Sequence, residues 1–170
     1  MKKILITGKN SYIGTSLENW LMREPDKYKV DTIDMKDGSW KEKDFSQYDV
    51  VFHVAGIAHI KETSDNQELY YKVNRDLAYE TAQKAKNDGV GQFIFLSSMS
   101  VYGIENGVID MNTPLHPNSA YGKSKIEAED LINKLEDSSL TVATLRPPMV
   151  YGKGCRGNYP RLVGLALKTP

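Results

Sequence analysis

The sequence predicts an α/β fold with an open, doubly wound parallel sheet. Short, almost continuously apolar segments alternate along the chain with longer segments of helical periodicity. Apolar strands of this kind are typical of a sheet that is covered on both faces. A glycine-containing turn also joins the first strand directly to the first helix. This alternation predicts right-handed βαβ units, with ligands bound where the parallel strands end.

Five segments have the composition of buried strands: residues 3–7, 29–34, 49–54, 92–97 and 141–146. Apolar stripes at helical spacing predict three helices between them. The first stripe is Ile13, Leu17, Trp20 and Leu21. The second is Leu69, Val73 and Leu77, with Ala78, Ala82 and Ala85 beside it, and the third is Ala128, Leu131, Ile132 and Leu135. Asn118 or Ser119 is expected to cap the start of the third helix.

Composition excludes several classes of protein. The chain has 170 residues, with 22 basic and 22 acidic side chains and a pI near 6.8, so bulk charge does not favour nucleic acid or an anionic membrane as a partner. Its single cysteine, Cys155, excludes an internal disulfide and fits a cytoplasmic location. The first apolar run ends at Thr7, too early for a signal peptide, and no stretch is long enough for a membrane span.

The final stretch differs from the rest. Two prolines and three glycines between residues 147 and 157 predict a loop, and residues 162–168 predict a short helix. No further strand follows. We therefore expect residues 1–146 to form one domain and residues 147–170 to begin a second portion that is mostly missing.

The turn at residues 7–14 resembles a phosphate-binding loop. Gly8 and Gly14 occupy the outer positions of a dinucleotide fingerprint, and Ser11 stands where a middle glycine is usual. The serine hydroxyl is able to bond a phosphate oxygen, but its Cβ would strain a backbone with positive φ. The alternative is a loop with two incidental glycines. Its position after the first strand favours the functional interpretation.

Asp34 is the candidate ribose ligand. It ends the second strand 20 residues after Gly14, near the spacing expected for an acid that bonds the adenosine hydroxyls. Its carboxylate would repel a 2′-phosphate, which favours NAD over NADP, although Lys36 would soften that repulsion. The alternative is a solvated acid at a strand end.

Tyr121 and Lys125 lie four residues apart on the predicted third helix and form a candidate acid/base pair. A neighbouring ammonium favours the phenolate and would lower the pKa of the tyrosine. The spacing by itself is no rarer than chance, but Tyr121 begins the helix between the fourth and fifth strands, which favours the functional interpretation. Ser97, Ser98 and Ser100 end the fourth strand at the same edge, although serines also end strands simply by bonding the backbone.

Together these motifs resemble the extended short-chain dehydrogenases/reductases, and within them the nucleotide-sugar epimerase/dehydratase group. The ordered set that carries the resemblance is Thr7-Gly8…Gly14, Asp34, His53-Val54-Ala55-Gly56, Val73-Asn74, Ser97-Ser98…Val101-Tyr102-Gly103, Tyr121-Gly122-Lys123-Ser124-Lys125 and Arg146-Pro147. The resemblance covers essentially the whole chain and implies a Rossmann-type fold. Members of the family are usually longer, with a C-terminal portion that forms most of the sugar pocket.

The resemblance implies roles for individual residues. Tyr121 would be the acid/base, Lys125 would tune it and hold the nicotinamide ribose, and Ser98 would bond the reacting sugar hydroxyl. The implied NAD contacts are Gly8, Asn10, Ser11, Tyr12, Ile13, Gly14, Asp34, Asp44, Phe45, Val54, Ala55, Gly56, Asn74, Tyr121, Lys125 and Pro147. Two of these assignments have alternatives: Asp44 is also a plausible N-cap of a short helix, and Asn74 a plausible exposed residue.

The function implied is NAD-dependent epimerisation of a UDP- or dTDP-sugar through a 4-keto intermediate. Met99 and Ser100 stand where dehydratases of the group usually carry Asp-Glu, which argues against 4,6-dehydration. A one-way keto-sugar reductase and a non-catalytic dinucleotide sensor remain alternatives. A homodimer paired through helices at residues 67–86 and 121–135 is also expected. We expect no metal site, although His53, His59 and Asp65 invite that interpretation.

Overall fold

The computed structural model describes residues 1–58, 60, 62–155 and 157–168. Its strands are β1 (Lys2–Thr7), β2 (Tyr28–Ile33), β3 (Val50–His53), β4 (Gln92–Leu96) and β5 (Thr141–Leu145). Its α-helices are α1 (Tyr12–Leu21), α2 (Gln67–Tyr70), α3 (Leu77–Asn87), α4 (Ala120–Asn133) and α5 (Asn158–Ala166). Three short 3₁₀ helices lie at Ser39–Glu42, Ser64–Asn66 and Met99–Tyr102.

The five strands form one parallel sheet in the order β2-β1-β3-β4-β5. The chain moves outward from β1 to β2, returns to β3 on the other side of β1, and then continues through β4 to β5. The strand order therefore reverses beside β1, which is where an open α/β sheet has its ligand crevice. This architecture confirms the predicted fold.

Each face of the sheet has its own apolar core, because successive strand residues point to opposite faces. On one face Leu5, Val51 and Phe93 pack against the alanines of α3 and against Ile132 of α4. On the other face Ile4, Ile6 and Phe52 pack with Ile13, Leu17 and Leu21 of α1. The sheet is thus doubly wound, as expected. The burial is less complete at β5, where Leu145 is 46% exposed.

Two residues of the predicted helical stripes do not join the core. Trp20 is 56% exposed at the edge of the α1 stripe, while Ile13, Leu17 and Leu21 contact the sheet. Leu69 is 42% exposed, because the second predicted helix is not regular: a π-helical turn at Tyr71–Asp76 separates α2 from α3. A π turn adds a residue to the helical repeat and so changes which face the preceding residues occupy.

Candidate functional site

A cavity of about 1190 Å³ opens at the carboxyl ends of the strands, next to the reversal of strand order. Its walls come from four parts of the chain: the start of α1, the segment after β3, the end of β4 with the following 3₁₀ helix, and the start of α4. The loop after β5 completes it. The predicted site residues that line it are Asn10, Ser11, Tyr12, Ile13, Val54, Gly56, Ser98, Tyr121, Lys125 and Pro147.

The phosphate loop joins β1 to α1 and is held against β2. The N–H groups of Gly8 and Lys9 both donate to the carbonyl of Ile33, at 2.9 and 3.0 Å. Ser11 caps α1, with its Oγ accepting from the N–H of Gly14 at 3.1 Å. The N–H groups of Tyr12 and Ile13, in the first turn, have no acceptor within the helix. Since Tyr12 and Ile13 line the cavity, these N–H groups form a candidate anion-binding edge.

Both loop glycines are required by close packing. Gly8 has a φ of +82°, and a Cβ there would lie 3.0 Å from the backbone N of Ala55. A Cβ on Gly14 would lie 2.6 Å from Ser11 Oγ. Gly8, Gly14 and Ala55 are not among the residues that line the cavity.

The strain expected at Ser11 is absent. Ser11 has a φ of −73°, which any residue adopts, and the left-handed backbone falls instead on Asn10, with a φ of +64°. Asparagine tolerates this conformation better than most residues. The loop thus accommodates a serine in place of the middle glycine because the preceding residue makes the turn.

Asp34 directly follows β2 and is half-buried. It lies beside the phosphate loop, because two N–H groups of that loop donate to the carbonyl of the preceding residue, Ile33. Its Oδ1 accepts from the N–H of Lys36 at 3.1 Å. Asp34 stands outside the cavity lining, at the β2 side of the loop. A carboxylate in this place favours a ligand that presents hydroxyls there rather than a second anion.

Tyr121, Ser98 and Lys125 meet at the β4 side of the cavity. Ser119 caps α4 through the N–H of Gly122, so Tyr121 lies in the first turn and Lys125 one turn further along. Ser98 Oγ donates to Ser100 Oγ at 3.1 Å, and the Ser98 hydroxyl lies near enough to Tyr121 to act on the pKa of the phenol. The Lys125 Nζ donates to the carbonyl of Leu96 at 2.8 Å. The structure therefore brings the predicted pair, Tyr121 and Lys125, together with Ser98 on one wall of the cavity.

The protonation of this cluster differs from the expectation. Burial raises the pKa of Tyr121, and the Ser98 hydroxyl opposes that shift only in part. Lys125 does not lower the pKa of Tyr121 in this structure, because the Lys125 ammonium donates to the backbone carbonyl of Leu96 instead. Burial lowers the pKa of Lys125 to about 8, while the charge of Glu129 acts in the opposite direction. At neutral pH the tyrosine is a phenol and the lysine is mostly charged.

Asn74 is completely buried in the π-helical turn, so the alternative of an exposed asparagine is wrong. Its Oδ1 accepts from the N–H of Ile57 at 2.9 Å, and its Nδ2 donates to the Ile57 carbonyl and to Ser124 Oγ. A Cβ on Gly56 would lie 2.9 Å from the Asn74 Oδ1 and 3.5 Å from Lys125 Nζ. Asn74 thus fixes the cavity wall after β3 against α4, without lining the cavity itself.

Asp44 and Phe45 do not line the cavity, and their assignment to an adenine contact stays a prediction. The Phe45 side chain is fully buried in the core, and its N–H donates to Asp88 Oδ2 at 2.9 Å. Asp44 is exposed and closes a turn by accepting from the N–H of Ser46 at 2.8 Å. The side-chain hydroxyl and then the N–H of Ser46 lower the pKa of Asp44. No helix follows it, so the N-cap alternative is not met; Asp44 caps a turn.

Sequence reasoning missed three residues that support the site. Glu62 accepts the N–H of Ala120 with both carboxylate oxygens, at 2.9 and 3.1 Å, and so caps α4 from the loop after β3. Tyr70 packs edge-on against the Tyr121 ring, with centroids 6.2 Å apart. Glu129 is buried one turn after Lys125. The i+4 spacing of Glu129 from Lys125 was the available signal; no local pattern marks Glu62 or Tyr70.

His53 is buried and neutral, since burial lowers its pKa to about 3, and its Nδ1 lies 3.0 Å from Thr7 Oγ1. His59 lies outside the described residues. Across the part of the chain that the structure describes, no group of three or more His, Cys, Asp or Glu side chains is arranged for a metal ion. Within the same part, no helix has the length and apolar character needed to cross a membrane.

Comparison with known proteins gives a consistent result. A family model described as the NAD dependent epimerase/dehydratase family matches residues 4–166. The chain is 33% identical over 190 aligned positions to the UDP-glucose 4-epimerase of Vibrio cholerae, covering 98% of this chain and 57% of that protein.

Solved structures show the same architecture. MoeE5 in complex with UDP-glucose and NAD superposes with a TM-score of 0.79 at 26% identity, covering 91% of this chain and 56% of that one. The UDP-glucuronic acid 4-epimerase of Bacillus cereus superposes with a TM-score of 0.82 at 24% identity, covering 98% of this chain and 63% of that one, and shows the fold. The chain thus spans somewhat more than half the length of these proteins.

Proposed function

Because the chain belongs to the NAD dependent epimerase/dehydratase family, we propose that it forms the cofactor-binding portion of an enzyme that epimerises a nucleotide sugar with NAD. The observation that carries the proposal is one cavity that joins two features. The anion-binding edge of α1 lies at one end, and the cluster of Ser98, Tyr121 and Lys125 lies at the other. A dinucleotide and a sugar have to meet in such an arrangement.

The residues present fit NAD. Gly8 and Gly14 leave room where side chains would fill the phosphate cradle, and the first N–H groups of α1 point an N-terminal dipole at a pyrophosphate. Asp34 offers its carboxylate to the adenosine ribose hydroxyls. Lys125 would hold the nicotinamide ribose, and Pro147 would flank the ring. NAD would supply the hydride transfer at the sugar carbon.

The chain's own residues would handle the proton. Ser98 and Tyr121 would bind the reacting sugar oxygen, since both line the cavity and their side chains lie next to each other. In its protonated form Tyr121 donates from Oη to the oxygen of a keto sugar, and the reverse step removes the proton from the alcohol. The Lys125 ammonium, bound to the Leu96 carbonyl, would contribute by holding the nicotinamide ribose rather than by lowering the pKa of Tyr121.

The substrate class that we propose is a nucleotide sugar, with UDP-sugars first. The support is the pair of relatives named above, one a UDP-glucose 4-epimerase and one seen with UDP-glucose and NAD. Met99 and Ser100 line the cavity after Ser98, and neither ionises at neutral pH. Their chemistry fits reversible oxidation at one carbon rather than elimination of water.

The test is the Tyr121→Phe variant. We expect NAD affinity, measured by calorimetry on the 170-residue chain, to stay within a few-fold, because the phosphate and ribose contacts lie elsewhere. We expect turnover, measured on the product of the complete reading frame with UDP- and dTDP-sugars, to fall about 10²–10⁴-fold, the usual contribution of a general acid/base.

Tyr79→Phe is the matched control, because the Tyr79 hydroxyl bonds only Gln83 on the surface of α3. Full turnover by Tyr121→Phe, or no NAD binding by the unmodified chain, would contradict the proposal. Net consumption of reduced cofactor during turnover would identify a reductase instead, since an epimerase returns the hydride it removes.

A further inference from the structure

Glu129 is a buried carboxylate that the proposed chemistry does not use. It lies on α4 with 1% of its surface exposed. Ser97 donates its hydroxyl to Oε1, and Arg146 donates from Nε to both carboxylate oxygens at 3.1 and 3.2 Å and from a terminal nitrogen to Oε2 at 2.5 Å. A carboxylate at this depth is tolerated only with such partners.

The same network reaches a fourth residue. Arg146 donates to the Tyr102 hydroxyl at 2.8 Å, and its guanidinium lies 5.2 Å from the centre of the Tyr102 ring. Glu129 therefore ties together α4, the end of β4, the end of β5 and the 3₁₀ helix Met99–Tyr102.

Each partner of Glu129 lies next to a residue of the candidate site. Ser97 immediately precedes Ser98, and Arg146 immediately precedes Pro147. Glu129 itself follows Lys125 by four residues, which places both on one face of α4. A change in the length or charge of the Glu129 side chain would therefore alter the positions of Ser98, Lys125 and Pro147 together.

We propose that Glu129 is a positioning residue: its buried carboxylate holds the segments carrying Ser98, Lys125 and Pro147 in register for cofactor and sugar. The inference rests on the proposed function, because that function assigns Ser98, Lys125 and Pro147 to contacts with the cofactor and the sugar.

The electrostatics of Lys125 supply an independent readout. Lys125 is buried against the Leu96 carbonyl and the face of Phe95, and the charge of Glu129 favours its ammonium form. The buried, neutral His53 also faces Lys125, and Tyr121 lies four residues before it on the same face of α4. Loss of the Glu129 charge is therefore expected to lower the pKa of Lys125 below its value of about 8.

The test uses Glu129→Gln, which keeps the size of the side chain and removes its charge. Nitrogen-15 NMR of the 170-residue chain without cofactor follows the titration of Lys125, and calorimetry measures NAD affinity. We expect the pKa of Lys125 to fall by about half a unit or more and NAD affinity to fall about tenfold. Glu127→Gln is the control: it removes the same charge from the same helix, where Glu127 is 44% exposed and pairs with Arg75.

Glu129→Asp separates charge from position and also serves if Glu129→Gln does not fold. It keeps the carboxylate but is one methylene too short to reach Ser97 and Arg146 together. We expect Lys125 to titrate nearly as in the unmodified chain while NAD affinity still falls.

Unchanged NAD affinity in Glu129→Asp, or unchanged Lys125 titration in Glu129→Gln, would overturn the inference. If the unmodified chain does not bind NAD, the proposed function fails, whereas the Lys125 titration still tests whether Glu129 acts on Lys125.

Discussion

Single polar residues decide much of the geometry around the cavity. Asn10 takes the left-handed backbone that lets Ser11 cap α1 without strain. Both ends of the Asn74 side-chain amide are hydrogen-bonded, to the backbone of Ile57 and to Ser124 Oγ, so one buried side chain joins the cavity wall after β3 to α4. Because leaving a buried polar partner unsatisfied costs about 1–3 kcal/mol, such residues hold their neighbours closely in place.

Asp34 is expected to set the preference between NAD and NADP. The unmodified chain should bind NAD more tightly, since the carboxylate beside the phosphate loop repels a 2′-phosphate. In Asp34→Ala the difference in affinity should narrow by about tenfold, which corresponds to ~1.4 kcal/mol. Calorimetric titration of the 170-residue chain with each cofactor measures it.

Asp26→Ala is the control for this variant. Asp26 is exposed in the turn that precedes β2, at the opposite end of the strand from Asp34. Its removal should leave the preference unchanged. A tighter affinity of the unmodified chain for NADP would contradict the role given to Asp34.

At the scale of elements, the start of α4 matters most. Glu62 and Ser119 cap it from two different loops, and Gly122 brings its backbone onto the 3₁₀ helix that begins after Ser98. Tyr121 lies between these anchors. The placement of Tyr121 next to Ser98 therefore depends on how closely two elements approach, which neither element determines alone.

The variant Gly122→Ala tests this approach. Its Cβ would lie 2.6 Å from the Ser100 carbonyl oxygen and 2.9 Å from Pro117 Cβ, and a backbone oxygen cannot move aside cheaply. We expect the free energy of unfolding to fall by about 1–3 kcal/mol, as for other overpacked sites. Urea denaturation followed by circular dichroism measures it.

Gly164→Ala in α5 is the comparison, since a Cβ there meets no atom within 4 Å. In that variant the gain in helix propensity should leave stability unchanged or raise it by up to about 1 kcal/mol. Equal unfolding midpoints for the two variants would show that α4 does not approach the 3₁₀ helix as closely as described.

At the scale of the whole molecule, two cores on opposite faces of one sheet hold the cavity at their common edge. Homodimerisation stays a prediction. Most apolar residues of the second and third predicted helices turn inward, and Leu69, 42% exposed, is the large apolar side chain that α2 leaves outside.

We expect the chain to self-associate through the α2–α4 surface, with Leu69→Lys weakening the dimer because it places a charge in an apolar contact. Light scattering over a range of concentrations measures the mass. Trp20→Lys is the control, since Trp20 is 56% exposed on α1, across the sheet. A monomer at the highest concentration, or equal effects of the two variants, would contradict the prediction.

The sequence by itself determined the five strands, their parallel sheet, the helices between them and the glycine turn before α1, but not the π-helical turn that divides the second predicted helix. Apolar periodicity, a capping serine such as Ser119 and the glycines of a turn are local signals, and they act over a few residues. The close spacing of Tyr121 and Lys125 on one helix followed from the same local geometry.

Only the tertiary structure decided which polar groups pair inside the protein. Glu129 bonds Ser97, 32 residues away, and Arg146 bonds Tyr102, 44 residues away. Phe45 follows an acid in the sequence, but its side chain packs in the core. Burial raises the pKa of Tyr121, and this burial comes from tertiary packing rather than from adjacent residues in the sequence. These outcomes depend on how separate elements pack, and packing brings together side chains whose separation along the chain carries no periodic signal.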